Sequence, residues 1–187
     1  MPSASDGEVA AGGGFAGRSE GRHPKKESMM AKILVAYFSA SGTTAKVAKN
    51  LAAATGADLF EIVSEKPYSS ADLNWRDKKS RTTTEMNDES CRPAIAGEVA
   101  DMDVYDTVFV GFPVWWHVEP RIIDTFLEAY DFSGKTVVPF ATSGGSGLGQ
   151  APRRMQALAP DAKVLAGGLL NGHPSQAELK EWAKDAR

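Results

Sequence analysis

The amino-acid sequence predicts an α/β domain with a doubly wound, five-stranded parallel sheet. Two observations support this prediction. Five short segments are apolar enough to be strands covered on both faces, and segments with helical spacing of apolar residues lie between most of them. Because strands that alternate with helices pair in parallel and place the helices on both faces, this order is typical of a doubly wound sheet.

The first three elements follow one another closely. Residues 33–38 are an uninterrupted apolar run, which predicts a buried strand. A cluster of Ser, Gly and Thr comes next, and residues 43–54 then carry Val47 and Leu51 at the spacing of a helix. Residues 58–63 are predicted as the second strand.

A long polar connection follows the second strand. Residues 64–99 are interrupted by Pro67 and Pro93, and they are unusually rich in polar and bulky groups for a connection between strands. A helix within residues 70–88 is consistent with this composition. The segment also contains a basic run at residues 76–81, which is typical of a solvated face.

The second half of the chain alternates regularly between strands and helices. Its strands are short apolar runs, and its helices have one apolar face, as Ile122, Ile123 and Phe126 show for the first of them. The predicted elements are, in order, a strand at 107–112, a helix at 121–130, a strand at 135–141, a helix at 150–158, a strand at 164–170 and a helix at 176–186.

Length and composition fit one domain preceded by a polar extension. The chain has 187 residues, of which 42% are hydrophobic. We assign residues 1–30 to a disordered tail, a leader or an expression remnant, because they lack apolar periodicity, and residues 31–187 to the domain.

Charge and cysteine content narrow the class of protein further. No stretch approaches the roughly 18 apolar residues of a membrane helix, and a net charge of −3 argues against nucleic acid. We therefore expect neither a membrane nor a nucleic-acid partner. The single cysteine, Cys91, excludes an internal disulfide and suits a reducing compartment, so a cytoplasmic location is expected. The three scattered histidines offer no ligand pair, so no metal site is predicted.

The loop after the first strand is a candidate for anion binding. In doubly wound sheets, ligands bind outside the carboxyl ends of the strands, where the strand order reverses. Here a helix begins directly after the strand, and its unpaired N–H groups and partial positive charge suit a phosphate. Capping by Ser41 or Thr43 is the alternative role for the hydroxyls. The candidate residues are Ser39, Ala40, Ser41, Gly42, Thr43 and Thr44.

Two further loops follow the third and fourth strands. Two adjacent tryptophans offer a flat apolar surface after the third strand, and a glycine-rich turn offers backbone N–H groups after the fourth. The candidates in the first of these loops are Pro113, Val114, Trp115, Trp116 and His117, and those in the second are Thr142, Ser143, Gly144 and Gly145.

Together the three loops resemble those of the flavodoxins. Residues 39–44 are similar to the flavodoxin phosphate loop, Ser/Thr-x-Ser/Thr-Gly-Asn/Thr-Thr, and the other two loops lie where flavodoxins contact the isoalloxazine ring. The resemblance extends from about Lys32 to the C-terminus. It implies a flavodoxin-like fold with strand order 2-1-3-4-5, FMN as cofactor, and a redox protein that transfers electrons or reduces a small acceptor.

The loop after the fourth strand departs from flavodoxins that act as carriers. Such carriers often stack an aromatic residue from this loop on the ring, whereas no aromatic residue lies here between Phe140 and the next helix. One ring face is thereby left open for a second substrate. The tryptophan loop paired with a Gly-Gly-Ser-Gly turn also looks like that of quinone reductases of the same fold, which take hydride from NADH or NADPH. An electron carrier and an NAD(P)H-dependent quinone or flavin reductase therefore both stay open, and so does whether the protein is an enzyme.

The resemblance also suggests roles for His117 and the basic run at 76–81, and it suggests which partners to expect. His117 is the catalytic candidate, as a proton donor near the flavin edge, and a surface histidine is the alternative. The basic run at 76–81 is a solvated face, or else it covers the flavin or binds the phosphate of a nicotinamide nucleotide. Expected partners are a redox protein or a small-molecule acceptor, and the chain is expected to be a monomer or a homodimer.

A signalling domain of the same topology, such as a phospho-receiver, is a further alternative. That class needs acidic residues after the first strand and at the end of the third. Ser39 and Gly111 stand at those places, which disfavours it.

Overall fold

The structure is a computed structural model that describes residues 31–187, so the predicted tail at residues 1–30 lies outside the described residues. The strands are β1 (Lys32–Tyr37), β2 (Asp58–Glu61), β3 (Val63–Ser64), β4 (Ile95–Ala96), β5 (Tyr105–Pro113), β6 (Thr136–Thr142), β7 (Lys163–Val164) and β8 (Gly168–Leu169). The helices are α1 (Thr43–Thr55), α2 (Arg81–Asn87), α3 (Arg121–Ala129), α4 (Ala151–Leu158) and α5 (Gln176–Asp185), with a 3₁₀ turn at Met102–Val104.

The main sheet has the predicted doubly wound topology. Its strands lie in the order β2-β1-β5-β6-β7, with β8 also paired to β6, and every pairing among them is parallel. Helices α1 and α5 pack together on one face, and α3 contacts α4 on the other. Counted along the chain, this arrangement confirms the predicted order 2-1-3-4-5 and the α/β class.

Alternating side chains along β1 separate two hydrophobic cores. Val35 and Tyr37 belong to the core beneath α1 and α5, whereas Leu34 and Ala36 belong to the core beneath α3 and α4. All four side chains are buried. An apolar run without polar alternation is what a strand covered on both faces requires.

The fifth strand is the element that differs most from its prediction. Instead of one strand over residues 164–170, the structure has β7 and β8, separated by residues 165–167. Pro139 of the neighbouring β6 has no N–H to donate. Gly167 also approaches Pro139 so closely that a Cβ on this glycine would lie 1.9 Å from the proline carbonyl oxygen. The prediction of one continuous strand was wrong because the interruption depends on the strand next to it.

The connection between β2 and β5, called the crossover segment (residues 64–99), contains only short elements. β2 ends before the predicted residue 63, because Val63 turns away to pair with β4 in a separate antiparallel ladder. Helix α2 lies within the range 70–88 that was predicted to hold a helix. It begins after Ser80, whose hydroxyl accepts a hydrogen bond from the Thr83 amide.

None of the helices among residues 31–187 has the length and apolar character needed to cross a membrane.

The bounds of α1, α3, α4 and α5 each differ from the predicted ones by a single residue at one end.

Candidate functional site

The loop between β1 and α1 is organised by the hydroxyl of Ser39. Its oxygen accepts hydrogen bonds from the amides of Gly42 (3.1 Å) and Ala45 (3.2 Å), and it thereby caps the start of the helix. Gly42 makes the turn with a φ of 90°, a left-handed conformation that favours glycine. The alternative of capping by Ser41 or Thr43 is therefore wrong; their exposed hydroxyls lie 3.4 Å from each other.

The first turn of α1 keeps unused hydrogen-bond donors. Its hydrogen bonds leave the amides of Thr43 and Thr44 without an acceptor among residues 31–187. A Cβ placed on Gly42 would meet no atom within 4 Å, so the space beside the turn is open. Free amides, exposed hydroxyls and the positive end of a helix dipole together suit an anion.

Two hydrogen bonds join the three predicted loops. The hydroxyls of Thr44 and Thr142 lie 2.9 Å apart in a buried contact, and the amide of Val114 donates to the carbonyl of Thr142 at 3.0 Å. Thr142 ends β6, so the end of this strand touches both the helix start and the tryptophan-containing loop. The structure thus brings the three loops together at the carboxyl ends of β1, β5 and β6. Because the Thr44 hydroxyl is committed to this contact, only its amide is available to a ligand.

Residues 115–118 form a tight two-residue turn, called the tryptophan turn. The amide of Trp115 donates to the carbonyl of Val118 (3.0 Å), and the amide of Val118 donates back to the carbonyl of Trp115 (3.1 Å). The central residues Trp116 and His117 have φ values of 49° and 65°, as in the hairpin turns that glycine and asparagine favour. Other residues adopt this conformation at a cost on the order of 1–2 kcal/mol each. Surrounding contacts must therefore hold the turn in place.

The two adjacent tryptophans face different surroundings. Trp115 packs edge-on against Phe38 and Tyr68, with 5.5 Å and 5.7 Å between ring centroids. Trp116 points outward and is 42% exposed. One ring is thus held in an aromatic cluster, and the other offers a free surface beside the strand ends.

A cavity of about 380 Å³ lies beside the tryptophan turn. Trp75 on its wall is 66% exposed, and the guanidinium of Arg76 lies over the Trp75 ring at 5.1 Å. Two outward-facing tryptophans from distant parts of the chain therefore flank one largely apolar cavity, a surface suited to a flat ring. The cavity is lined by Leu73, Trp75 and Thr82 from the crossover segment and by Val114, Trp115 and Trp116 from the predicted loop.

The sequence did not identify Leu73, Trp75 and Thr82 individually as cavity residues. The available signal was the unusual number of bulky groups in the crossover segment. That signal indicates a segment with contacts to make, but a single sequence does not fix which part of a long crossover reaches the sheet.

Arg81, at the end of the basic run, anchors the crossover segment. Its guanidinium contacts Glu85 Oε1 (2.7 Å), the Lys66 carbonyl (2.6 Å) and the Ser64 hydroxyl (3.0 Å), and it lies 3.9 Å above the Tyr68 ring. Tyr68 in turn donates to Glu85 Oε2 at 2.7 Å; burial and this hydrogen bond raise the pKa of Tyr68. The Arg81 guanidinium is therefore occupied by contacts within the protein, whereas the basic residues at 76, 78 and 79 are exposed.

Ser143 organises the glycine-rich turn after β6. Its hydroxyl accepts hydrogen bonds from the amides of Gly145 (3.1 Å) and Ser146 (2.8 Å), so these two amides point into the turn. Asn171 holds the backbone of Ser143 twice, accepting from its amide at 2.9 Å and donating to its carbonyl at 2.8 Å. A Cβ on Gly144 would meet no atom within 4 Å, which leaves the outside of the turn open.

Asn171 is absent from the predicted site because it belongs to a more distant part of the chain. It follows β8, and only the pairing of β8 with β6 brings it to Ser143. The signal that identifies it is the topology, which places the ends of neighbouring strands side by side.

Four charged side chains, called the buried charge cluster (Glu119, Arg121, Asp124 and Arg154), lie next to the tryptophan turn. Glu119, Arg121 and Asp124 are 0%, 3% and 0% exposed. Arg154 of α4 donates to Glu119 Oε1 at 2.9 Å, and nitrogens of Arg121 and Arg154 lie 3.5 Å and 3.6 Å from Asp124 Oδ2.

The pKa values of both carboxyl groups in this cluster are raised, which favours a proton shared between them. Burial raises the pKa of Glu119 to about 8, with further contributions from the hydrogen bond to Asp124 and from its charge. Burial also raises the pKa of Asp124, while Glu119 and the neighbouring arginines oppose the rise. Glu119 Oε2 and both Asp124 oxygens have no donor among the described residues. A proton shared between Glu119 and one oxygen of Asp124 supplies a donor for that one contact.

His117 contributes its backbone to the site. Its carbonyl accepts a hydrogen bond from the Gln150 amide at 3.3 Å, and its side chain is exposed. A Cβ on Gly149 would lie 2.1 Å from the same carbonyl oxygen, so glycine permits this close approach.

Two further observations concern thiol and metal chemistry. Burial raises the pKa of the Cys91 thiol, which keeps it in the unreactive protonated form. Residues 31–187 contain no group of three or more His, Cys, Asp or Glu side chains placed to hold a metal ion.

Comparisons with known proteins agree with this fold. The structure is similar to that of a protein from Bacteroides eggerthii DSM 20697 that is assigned to the flavoproteins. The two chains are 48% identical, the match covers 83% of this chain and 98% of that chain, and the TM-score is 0.80. A second such protein, from Bacteroides uniformis ATCC 8492, has 48% identity, coverage of 82% and 98%, and a TM-score of 0.78. No curated protein sequence matches the chain.

A more distant structure shares the fold. The flavoprotein from Lactobacillus acidophilus NCFM, solved in complex with FMN, is 23% identical, with coverage of 82% of this chain and 99% of that chain and a TM-score of 0.62.

The fold and the three joined loops define a doubly wound α/β protein with a candidate ligand site at the carboxyl ends of its strands. The sequence model of the Flavodoxin family matches residues 32–186. The chain belongs to the flavodoxin family.

Proposed function

We propose that the protein binds FMN and transfers electrons through it, to a redox partner protein or to a small acceptor. The observation that carries the proposal is the joining of the three loops through Thr44, Val114 and Thr142. This junction connects a helix start with free amides, a loop with outward aromatic surface, and an open glycine turn. FMN offers the matching groups, namely a phosphate and a flat apolar ring with a polar edge.

Family membership supports the proposal independently of the geometry. The two Bacteroides proteins, assigned to the flavoproteins, share 48% of their residues with this chain over most of its length. The Lactobacillus protein carries FMN on the same fold.

The residues around the start of α1 fit a phosphate group. Ser41 and Thr43 would hold it through their hydroxyls, and Thr43 and Thr44 would hold it through their amides. These donors are neutral, so the positive end of the helix dipole provides the favourable electrostatics. Ser39 acts indirectly, because its hydroxyl fixes the backbone of the turn.

The residues at the cavity fit a flat ring. Trp116 and Trp75 would pack against it and exclude water, and the open turn at Gly144 and Gly145 would face its polar edge. When bound, FMN supplies the one- and two-electron redox chemistry. The chain binds and orients the cofactor, and the tryptophans limit the access of solvent to it.

An NAD(P)H-dependent quinone or flavin reductase is the second candidate function. It is favoured by residues 142–150, which contain no aromatic side chain to cover the ring. The guanidinium of Arg76 lies over the ring of Trp75, which lines the cavity, and the exposed Lys78 and Lys79 follow in the chain. Such basic groups suit the phosphates of a nicotinamide nucleotide. In this candidate NADH or NADPH is the co-substrate and a small molecule accepts the electrons.

Titration of the flavin-free protein tests the cofactor proposal. We expect FMN and riboflavin both to lose fluorescence on binding, because ring stacking on tryptophan quenches it, and we expect FMN to bind more tightly because only it carries the phosphate. A protein that binds neither ligand contradicts the proposal. AMP serves as a control for binding of any phosphate without a flavin ring.

Anaerobic mixing of the FMN-loaded protein with NADH or NADPH separates the two candidates. Rapid bleaching of the flavin absorbance by a nicotinamide nucleotide alone identifies a reductase. Bleaching only after addition of a partner reductase identifies a carrier. Replacing Lys78 and Lys79 by Ala, outside the flavin loops, is expected to slow the nucleotide reaction without changing FMN affinity.

A further inference from the structure

The buried charge cluster is connected to the tryptophan turn through α4. Glu119 follows the turn directly, and Arg154 of α4 donates to its Oε1 at 2.9 Å. The same helix start holds the turn a second time, because the Gln150 amide donates to the His117 carbonyl. The Glu119–Arg154 pair therefore helps to fix the backbone that presents Trp116.

Arg121 connects the cluster to the opposite wall of the cavity. Its guanidinium donates to the carbonyls of Met86 (2.9 Å) and Glu85 (3.4 Å) at the C-terminal end of α2. Carbonyls at a helix C-terminus lack helical partners and attract a cation. Helix α2 carries Thr82, which lines the cavity and donates to the Asp72 carbonyl at 2.8 Å. One cluster thus holds both walls.

The charged groups around the two carboxyl groups come from three elements. Asp124 faces Arg121 of its own helix, Arg154 of α4, and Arg92 of the crossover segment, whose nitrogen lies 3.8 Å away. Arg92 also forms an ion pair with the exposed Glu128, and Arg154 also forms one with the exposed Glu89. Glu119 faces Arg154 and Asp124.

A shared proton supplies a hydrogen bond between the two carboxyl groups. With a proton on Glu119 Oε2, that atom donates to Asp124 while Oε1 still accepts from Arg154. Without the proton, two carboxylates face each other in a buried site, and oxygens of both lack a donor. The protonated pair is therefore the form in which every contact of Glu119 is favourable.

We propose that Glu119 and Asp124 are positioning residues for the flavin ring. They hold the tryptophan turn in its binding geometry while they share one proton, and they release the turn when that proton is lost. The inference rests on the proposed function. It goes further, because it makes binding of the ring depend on a pair of carboxyl groups that do not touch the ring.

Riboflavin binding at about pH 7 and about pH 9 tests the proposal, because riboflavin has no phosphate to titrate. We expect the dissociation constant of the natural chain to rise about fivefold to tenfold over this interval. Glu119→Gln keeps an acceptor for Arg154 and a permanent donor for Asp124, so its affinity is expected to be the same at both pH values. Glu128→Gln, on the same helix as Asp124 but exposed, is the matched control and should keep the pH response. The same pH response in Glu119→Gln overturns the proposal.

A readout without flavin separates this inference from the proposed function. Tryptophan fluorescence of the flavin-free protein should change between about pH 7 and about pH 9, and the change should disappear in both Glu119→Gln and Trp116→Phe. If no flavin binds but this titration is seen, the proposed function fails and the link between the pair and the turn stands. If flavin binds and neither signal depends on pH, the inference fails alone. Asp124→Asn provides a second variant that cannot share a proton in the same way, and it should also lose both responses.

Discussion

The hydroxyls of Thr44 and Thr142 form a buried hydrogen bond of 2.9 Å between the start of α1 and the end of β6. The two side chains are 1% and 4% exposed. The Thr142 carbonyl also accepts from the Val114 amide. One residue thereby sets the relative position of the loop suited to phosphate and the loop that carries the tryptophans. Because this contact is neutral and buried, salt does not screen it as it screens surface ion pairs.

Replacing Thr142 by Val should destabilise the protein and weaken FMN binding. Valine keeps the shape of threonine but leaves the buried Thr44 hydroxyl without its partner, which costs about 1–3 kcal/mol. Urea denaturation measures the free energy of unfolding, and flavin titration measures the affinity. The double variant with Thr44→Val removes both hydroxyls, so it should be more stable than the sum of the two single changes predicts. Strict additivity would show that the two hydroxyls do not interact.

Replacing Ser41 and Thr43 together by Ala should discriminate between FMN and riboflavin. Loss of two hydroxyl donors should weaken FMN by at least about 1.5 kcal/mol, roughly tenfold, and leave riboflavin almost unchanged. Ser39→Ala is the contrasting variant. It removes the hydroxyl that caps α1, so it should lower the free energy of unfolding by about 1 kcal/mol and weaken both ligands. An equal loss for the two flavins in the double variant would refute the phosphate role of Ser41 and Thr43.

The sequence was sufficient for features that depend on local patterns. The apolar runs and helical spacing predicted the doubly wound α/β class, and the resemblance to flavodoxins implied the strand order. The loops at 39–44, 113–117 and 142–145 lie together at strand ends as doubly wound topology requires. These signals are encoded within a few adjacent residues. For the same reason they predicted most helix bounds to within one residue.

The features that were not predicted depend on contacts between distant residues. Pro139 interrupts the strand next to it. Asn171 forms hydrogen bonds with the glycine-rich turn because the pairing of β8 with β6 brings it there. Trp75 reaches the cavity from a crossover that has no periodic pattern. A glutamate just before a helix start fits a favourable surface charge equally well, and only the packing of α3 against α4 shows that Glu119 is buried beside Asp124.

Gly42→Ala should strain the turn before α1 without creating a clash. The φ of 90° is unfavourable for alanine by about 1–2 kcal/mol, although its Cβ would meet no atom within 4 Å. We expect a corresponding loss in the free energy of unfolding and weaker binding of FMN, since the amides of the turn would move. Gly144→Ala is the matched control for the free energy of unfolding, because that glycine also faces open space but has no positive φ. A similar loss in both variants would mean that backbone conformation is not the cause.

The free energy of unfolding should fall as the pH rises from about 4.5 to about 8. Burial raises the pKa of Glu119 from 4.5 to about 8, so within this window the folded chain holds a proton that the unfolded chain has released. Raising the pH then favours unfolding, by at most about 1.4 kcal/mol for each pH unit. Below the window both states hold the proton, and above it neither does, so the contribution is constant outside it. Urea denaturation at several pH values should show a smaller slope for Glu119→Gln than for Glu128→Gln, whose exposed carboxylate pairs with Arg92. Equal slopes in these two variants would mean that Glu119 is ionised in the folded protein at neutral pH.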